Sequence, residues 1–174
     1  EAVKLEGGES IVGQVAAIVA AGIPVVGHVG LTPQSVHAMG GFKVQGRHEA
    51  AAERVLLDAK AVVEAGACMV VLEGIPKELG ARITQELAVP TIGIGAGVGC
   101  DGQVLVCTDL LGMNPEFRPK FVRQFMQGYD LMRGAFESYV GAVRGRSFPN
   151  DSESFSSPAA GERKAVGEKV TRLY

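Results

Sequence analysis

The sequence predicts an α/β fold, a parallel β-sheet covered by helices and wound either as an open doubly wound sheet or as a barrel. Three observations predict it. Short apolar runs alternate with longer amphipathic ones along the chain. A glycine closes the amphipathic runs: Ala20-Ala21-Gly22 precedes an apolar run ending in His28, and Glu64-Ala65-Gly66 precedes one ending in Glu73. The apolar runs are continuous rather than alternating, the pattern of strands buried on both faces. Right-handed crossovers then leave the two windings named above, and in both the ligand lies at the carboxyl ends of the strands.

The elements follow in order. Residues 2–6 make a short strand. Residues 9–21 place Ile11, Val12, Val15, Ile18 and Val19 on one helical stripe, and Gly22 stops it. Residues 23–28 read as a buried strand. Residues 30–46, rich in Gly and Pro with little periodicity, form a long loop of the kind that in compact domains is usually either functional or disordered. A second amphipathic helix spans 49–65, with Val55, Leu56, Ala59, Val62 and Val63 on one face, before the strand 68–72 that closes on Glu73. Pro76 fits the first position of a third helix, which Leu79, Ile83 and Leu87 continue. Residues 91–94 form a strand opening into Gly93-Ile94-Gly95-Ala96-Gly97, residues 103–106 a last short strand, and residues 120–143 a long helical segment. From Phe148 the composition turns to Ser, Pro, Asn and Glu, so residues 149–174 are expected to be a loosely ordered tail after a domain of residues 1–148, with a short helix open to residues 163–174.

Composition narrows the function classes. A net charge of −2 gives no electrostatic footprint for nucleic acid. No apolar run reaches the roughly 18 residues that span a membrane. Cys68, Cys100 and Cys107 have neither metal-ligand spacing nor an even count, which points to reduced thiols rather than disulfides. The chain starts at Glu1 rather than Met and shows no signal-peptide pattern, which suggests a cut, processed or partly represented chain.

The strand ends supply Lys4 and Glu6, then His28, then Glu73, then the backbone of residues 95–97. A cation, two carboxylates, an imidazole and open amides at one end of successive strands suit a small anionic substrate and a metal. Each residue also has a plainer reading. Lys4 and Glu6 could be a surface ion pair, His28 a hydrogen-bonded core histidine, and Glu73 a cap for the following helix. Residues 93–97 match neither a P-loop nor a dinucleotide fingerprint. The shared location, rather than any single residue, favours a site.

Several segments resemble ketopantoate hydroxymethyltransferases: Val3-Lys4-Leu5-Glu6-Gly7-Gly8, Gly27-His28-Val29-Gly30-Leu31-Thr32-Pro33-Gln34-Ser35, Gly40-Gly41-Phe42-Lys43-Val44-Gln45-Gly46-Arg47, Val71-Leu72-Glu73, Ile92 through Gly97, and Asp101 through Val106. The resemblance runs in order from about Val3 to Phe155. It implies a (β/α)8 TIM barrel of the phosphoenolpyruvate/pyruvate superfamily, of which about five βα units are present. It implies transfer of a hydroxymethyl group from 5,10-methylenetetrahydrofolate to 3-methyl-2-oxobutanoate, giving 2-dehydropantoate and tetrahydrofolate in pantothenate biosynthesis. It further implies Mg2+ as cofactor, a homo-oligomer, typically a decamer, and a cytoplasmic location, or a mitochondrial one in several eukaryotes. By the same resemblance Glu73 matches the general base, Lys4 and His28 contact the 2-oxo acid, and Glu6 lies near the metal, acting through water.

Three departures matter. The family's two metal-ligating aspartates have no counterpart, since Asp58, Asp101 and Asp109 do not match them. Five strands are also fewer than the eight of a closed barrel, so roughly a hundred further residues are expected before Glu1, and a chain of this length alone is expected to be inactive. The tail reads Asp151-Ser152-Glu153-Ser154-Phe155 where an acidic-His-Ser-Phe ending is expected. Two competing readings remain at this point: another 2-oxo-acid lyase of the superfamily, and a truncated non-catalytic paralogue.

Overall fold

The computed structural model describes residues 1–37 and 40–157. The chain divides into two compact units, Glu1–Gln127 and Gly128–Tyr174, earlier than the composition change after Phe148. In the first unit β1 (Val3–Glu6), β2 (Val25–Gly30), β3 (Met69–Glu73), β4 (Thr91–Ile94) and β5 (Gly102–Gln103) form one sheet in the order β1-β2-β3-β4-β5, every neighbouring pair parallel. That order decides between the two windings. A doubly wound sheet reverses its strand order at a switch point, whereas a barrel adds each strand beside the last. This sheet never reverses, so it is a run of barrel-type βα units.

Helices α1 (Val12–Ala20), α2 (Glu49–Glu64) and α3 (Lys77–Glu86) make the crossovers, with a single 3-10 turn, Glu9–Ile11, leading into α1. They cover one face of the sheet. Val70 and Leu72 of β3 are fully buried and pack with Val15, Leu56, Val62 and Ile83 of the helices. Burial of each such side chain contributes about 1.5–3 kcal/mol. Met69, Val71 and Glu73 alternate with them and are only partly covered. Strand alternation therefore separates a helix-covered face from a second face. Parallel register carries that second face across the sheet: Glu6 pairs with His28, His28 with Val71, and Glu73 with Ile94.

Most boundaries lie within two residues of expectation, and the exceptions have causes. Pro76 is the residue before α3 rather than its first, and Leu87 already has extended backbone, so α3 ends at Glu86. The last strand is Gly102–Gln103 rather than 103–106. Val104 still donates its N–H to the Gly93 carbonyl at 3.0 Å, but a short helix, α4 (Cys107–Leu110), then takes over. The expected helix over 120–143 begins only at Gly128, as α5 (Gly128–Arg144). Residues 120–127 are irregular, with Val122 turned inward and Phe121, Arg123 and Phe125 exposed. The loop after β2 contains one 3-10 turn, Pro33–Ser35.

In the second unit α5 ends near a ring pair, Tyr139 edge-on to Phe148 at 5.6 Å between centroids. Asn150 then caps the short turn Asp151–Glu153, its side chain accepting from the Ser152 amide at 2.8 Å while Glu153 accepts from the Asn150 amide at 2.9 Å. The helix considered for residues 163–174 lies outside the described residues. No helix among the described residues is long and apolar enough to cross a membrane.

Candidate active site at the carboxyl end of the sheet

β1 presents Lys4 and Glu6 on the same face because they are two residues apart on a strand. β2 brings His28 into register with Glu6, and β3 ends with Glu73 one strand further on. The four residues singled out from sequence therefore converge. Lys4 Nζ lies 3.2 Å from Glu6 Oε1 and 3.0 Å from His28 Nδ1. His28 Nε2 lies 3.1 Å from Glu73 Oε2, and Glu6 Oε1 is 3.6 Å from His28 Nδ1. Side-chain exposure rises from 4% at His28 through 9% at Glu6 and 14% at Glu73 to 45% at Lys4, so a buried base layer opens to solvent through the ammonium.

The hydrogen bonding assigns a tautomer to the imidazole. The Lys4 ammonium can only donate, so His28 Nδ1 accepts and the ring proton sits on Nε2. That N–H is close to the Glu73 carboxylate, yet the contact is not aligned as a hydrogen bond. Among the described residues, Nε2 is a buried polar atom without a hydrogen-bond partner. A buried donor left in this state costs about 1–3 kcal/mol. A ligand oxygen seated between His28 and Glu73 would remove that cost.

Backbone from the loop after β2 completes the mouth. The Gln34 amide donates to Glu6 Oε2 at 3.0 Å, Leu31 donates to the Glu73 carbonyl at 2.8 Å, and Gln45 to the Gly74 carbonyl at 2.9 Å. The loop is thus tied to the strand ends at Leu31, Gln34 and Gln45. The Gln34 amide is a site group that no side-chain pattern could reveal. Below the mouth, Asp58 Oδ1 accepts the Glu9 amide at 2.9 Å, and a side chain at Gly8 would collide with Asp58. Asp58 is therefore committed to holding the turn after β1.

With this geometry in hand, the comparisons with known proteins are specific. The profile of the ketopantoate hydroxymethyltransferase family matches residues 1–151. The chain belongs to the ketopantoate hydroxymethyltransferase family. Its similarity to individual members is high: it is 56% identical over 154 residues to the 3-methyl-2-oxobutanoate hydroxymethyltransferase of Geotalea uraniireducens, covering 88% of this chain and 58% of that protein. It is 57% identical over 159 residues to the protein of that name from Methylobacterium sp., covering 91% of this chain and 55% of the relative. The Clostridium botulinum relative of the same name is 56% identical over 154 residues, covering 88% and 56% respectively. The chain thus spans a little over half the length of the relatives it matches.

Membership in the ketopantoate hydroxymethyltransferase family makes the other superfamily reading unnecessary. The cysteines agree: Cys68 and Cys100 precede β3 and β5, at the end of the sheet opposite Glu73, and Cys68 donates to the Val25 carbonyl at 3.3 Å. A divalent cation fits less well. Among the described residues no group of three His, Cys, Asp or Glu side chains could hold a metal ion. The oxygens of Glu6 are already engaged by Lys4 and the Gln34 amide, and the Lys4 ammonium would face the ion with like charge. Asp101 binds the Thr91 amide and hydroxyl, at the other end of the sheet. The described residues do not form a metal site by themselves.

Proposed function

We propose that this chain carries the base and the oxo-acid-binding residues of a hydroxymethyltransferase that joins a one-carbon unit from 5,10-methylenetetrahydrofolate to 3-methyl-2-oxobutanoate, giving 2-dehydropantoate and tetrahydrofolate, the first step of pantothenate biosynthesis. The observation that carries this reading is the meeting of Lys4, His28 and Glu73 at the mouth of a parallel sheet, around a buried donor that lacks a partner. A substrate carboxylate or keto oxygen would pair with Lys4 and accept from His28 Nε2. The Glu73 carboxylate would remove the proton from the carbon beside the ketone. That C–H electron pair forms the new bond to the methylene carbon. Over the whole reaction the methylene exchanges its two C–N bonds for one C–C and one C–O bond. One water supplies the hydroxyl, and the two folate nitrogens take up the two protons released.

Glu6, fixed by the Gln34 amide, holds Lys4 at the site. It would reach the Mg2+ implied by the resemblance only through water, and the direct ligands of that ion would be residues other than those described. A homo-oligomer, typically a decamer, and a cytoplasmic location complete the proposal.

The test is proton exchange at C3 of 3-methyl-2-oxobutanoate in deuterated water, followed by NMR without folate, in the protein at its natural length. Glu73→Gln should slow exchange by about 10²–10⁴-fold, the usual contribution of a positioned base. Exchange at the parent rate in that variant would remove Glu73 from the mechanism.

A further inference from the structure

The turn that follows Glu6 has little to hold itself with. Gly7 and Gly8 carry no side chains, Gly7 has a φ of +135° that favours glycine, and Gly8 offers no side-chain cap to the 3-10 turn it precedes. Two such residues directly after a site carboxylate leave its position to whatever fixes the turn from outside.

Two bonds do so. On one side the Gly7 amide donates to the His28 carbonyl at 3.0 Å and ties the turn to β2. On the other the Glu9 amide donates to Asp58 Oδ1 at 2.9 Å. Asp58 occupies the space that a side chain at Gly8 would take. Its carboxylate therefore stands where the side chain of an ordinary capping residue would stand, and caps the turn from another helix. That helix is α2, whose Leu56, Ala59 and Val62 are buried in the core. Arg54 reaches Glu9 at 3.0 Å and Asp58 at 3.7 Å, but it is 63% exposed and adds little.

From the turn the contacts run into the site. Glu6 Oε2 accepts the Gln34 amide at 3.0 Å, and Glu6 Oε1 holds the Lys4 ammonium, 3.2 Å away, beside His28 Nδ1. Glu73 lies outside this chain of contacts, because the end of β3 is held by the Leu31 amide and the Ile94 carbonyl.

We infer that Asp58 is a positioning residue of the oxo-acid site: it sets where Glu6 stands and, through Glu6, where the Lys4 ammonium meets the substrate, and it takes no part in proton transfer at Glu73. The substrate rests on the function proposed above, whereas the coupling of Asp58 to Glu6 does not.

The test compares Asp58→Ala with Asp58→Asn, which keeps an oxygen for the Glu9 amide, in the protein at its natural length. Two quantities are read: the saturation curve for proton exchange at C3 of 3-methyl-2-oxobutanoate, and hydrogen exchange of the Gln34 amide by NMR. Asp58→Ala should raise KM about tenfold, the scale of one hydrogen bond to a charged group. It should leave kcat within about twofold, the pattern of binding lost equally from ground and transition states. The Gln34 amide should exchange about tenfold faster while the amides of Val70 and Leu72 keep the parent rate. Asp58→Asn should return both quantities to within about threefold of the parent. Gly8→Ala, whose methyl would displace the carboxylate, should reproduce both changes and replaces Asp58→Ala if that variant does not fold. The inference is overturned if KM or the Gln34 rate stays at the parent value. It is also overturned if kcat falls at constant KM while all amides loosen together, the pattern of a smaller folded fraction. Should the parent itself neither bind nor exchange the 2-oxo acid, the proposed reaction fails. Faster exchange confined to Gln34 would then still sustain the coupling of Asp58 to Glu6.

Discussion

At the amino end of β4, Thr91 is fully buried, its amide and hydroxyl meet the Asp101 carboxylate at 2.8 and 3.1 Å, and its hydroxyl also meets Thr84 at 2.7 Å. At the carboxyl end of β2, His28 is buried almost as deeply, yet its Nε2 has a neighbouring carboxylate and no aligned hydrogen bond. The same sheet therefore closes its buried polar groups at one end and leaves one unfinished at the other. A closed network stabilises the fold, whereas an unfinished one costs stability and keeps a donor for something that arrives later. The difference separates what these polar residues do more sharply than burial or residue type can.

The strongest way to break the comparison is to exchange the readouts. Glu73→Gln keeps the shape and volume of a side chain at the open end. With proton exchange reduced by orders of magnitude, its unfolding free energy in urea should still change by less than about 0.5 kcal/mol, the range of substitutions outside closed networks. Asp101→Ala at the closed end should do the opposite. It leaves the buried Thr91 amide unpaired and should cost about 1–3 kcal/mol in urea unfolding. The proton-exchange rate of the folded fraction should stay within a few-fold of the parent. If Glu73→Gln unfolds the protein as readily as Asp101→Ala does, the distinction between the two ends is wrong.

The open end was the more legible in sequence. Lys4 and Glu6 share a face because strands repeat every two residues, and His28 and Glu73 close apolar runs, so parallel pairing alone brings them together. The order of the strands was not legible, because apolar runs do not state their neighbours. The observed order then chose the barrel winding. The Gln34 amide could not be foreseen, since a backbone donor has no letter in the sequence. Nor could the His28 tautomer, which depends on the approach of Lys4. The segment 120–127 failed for a different reason. Its spaced aromatics imitate the buried stripe of a helix, although Phe121 and Phe125 are exposed and Val122 is the residue that turns inward.

Cys100 sharpens the contrast by chemistry. It lies beside Thr84, Thr91 and Asp101, and burial raises its thiol pKa above the ordinary 9.0, outweighing the hydrogen bonds from the two threonines, which lower it. Its thiolate fraction at neutral pH is therefore smaller than that of a free thiol, and iodoacetamide should label it more slowly than the exposed Cys68 and Cys107. Labelling followed by mass spectrometry across pH should show Cys100 gaining reactivity at more alkaline pH. Asp101→Ala should accelerate its labelling by loosening the surrounding network. Equal rates at all three cysteines would mean that the closed end opens freely in solution.

The smallest effect belongs to the exposed rim of that closed end, where α3 carries Glu86 two residues beyond Thr84. Lys60 Nζ at 2.6 Å from Glu86, then Arg82 Nε at 2.9 Å, hold its carboxyl below the ordinary 4.5, while the carboxylates of Glu53 and then Glu86 raise the Arg82 guanidinium. A carboxylate with a depressed folded pKa binds fewer protons in the folded state than in the unfolded one. Its contribution is therefore complete above about pH 4.5 and disappears as pH falls through the folded value. Glu86→Gln should lower the urea midpoint slightly at pH 7, less so in high salt, and not at all once the parent carboxylate is protonated. A difference between parent and variant that persisted unchanged into acid would assign the stabilisation to packing of the side chain. The rim would then differ from the buried Thr91–Asp101 network in degree rather than in kind.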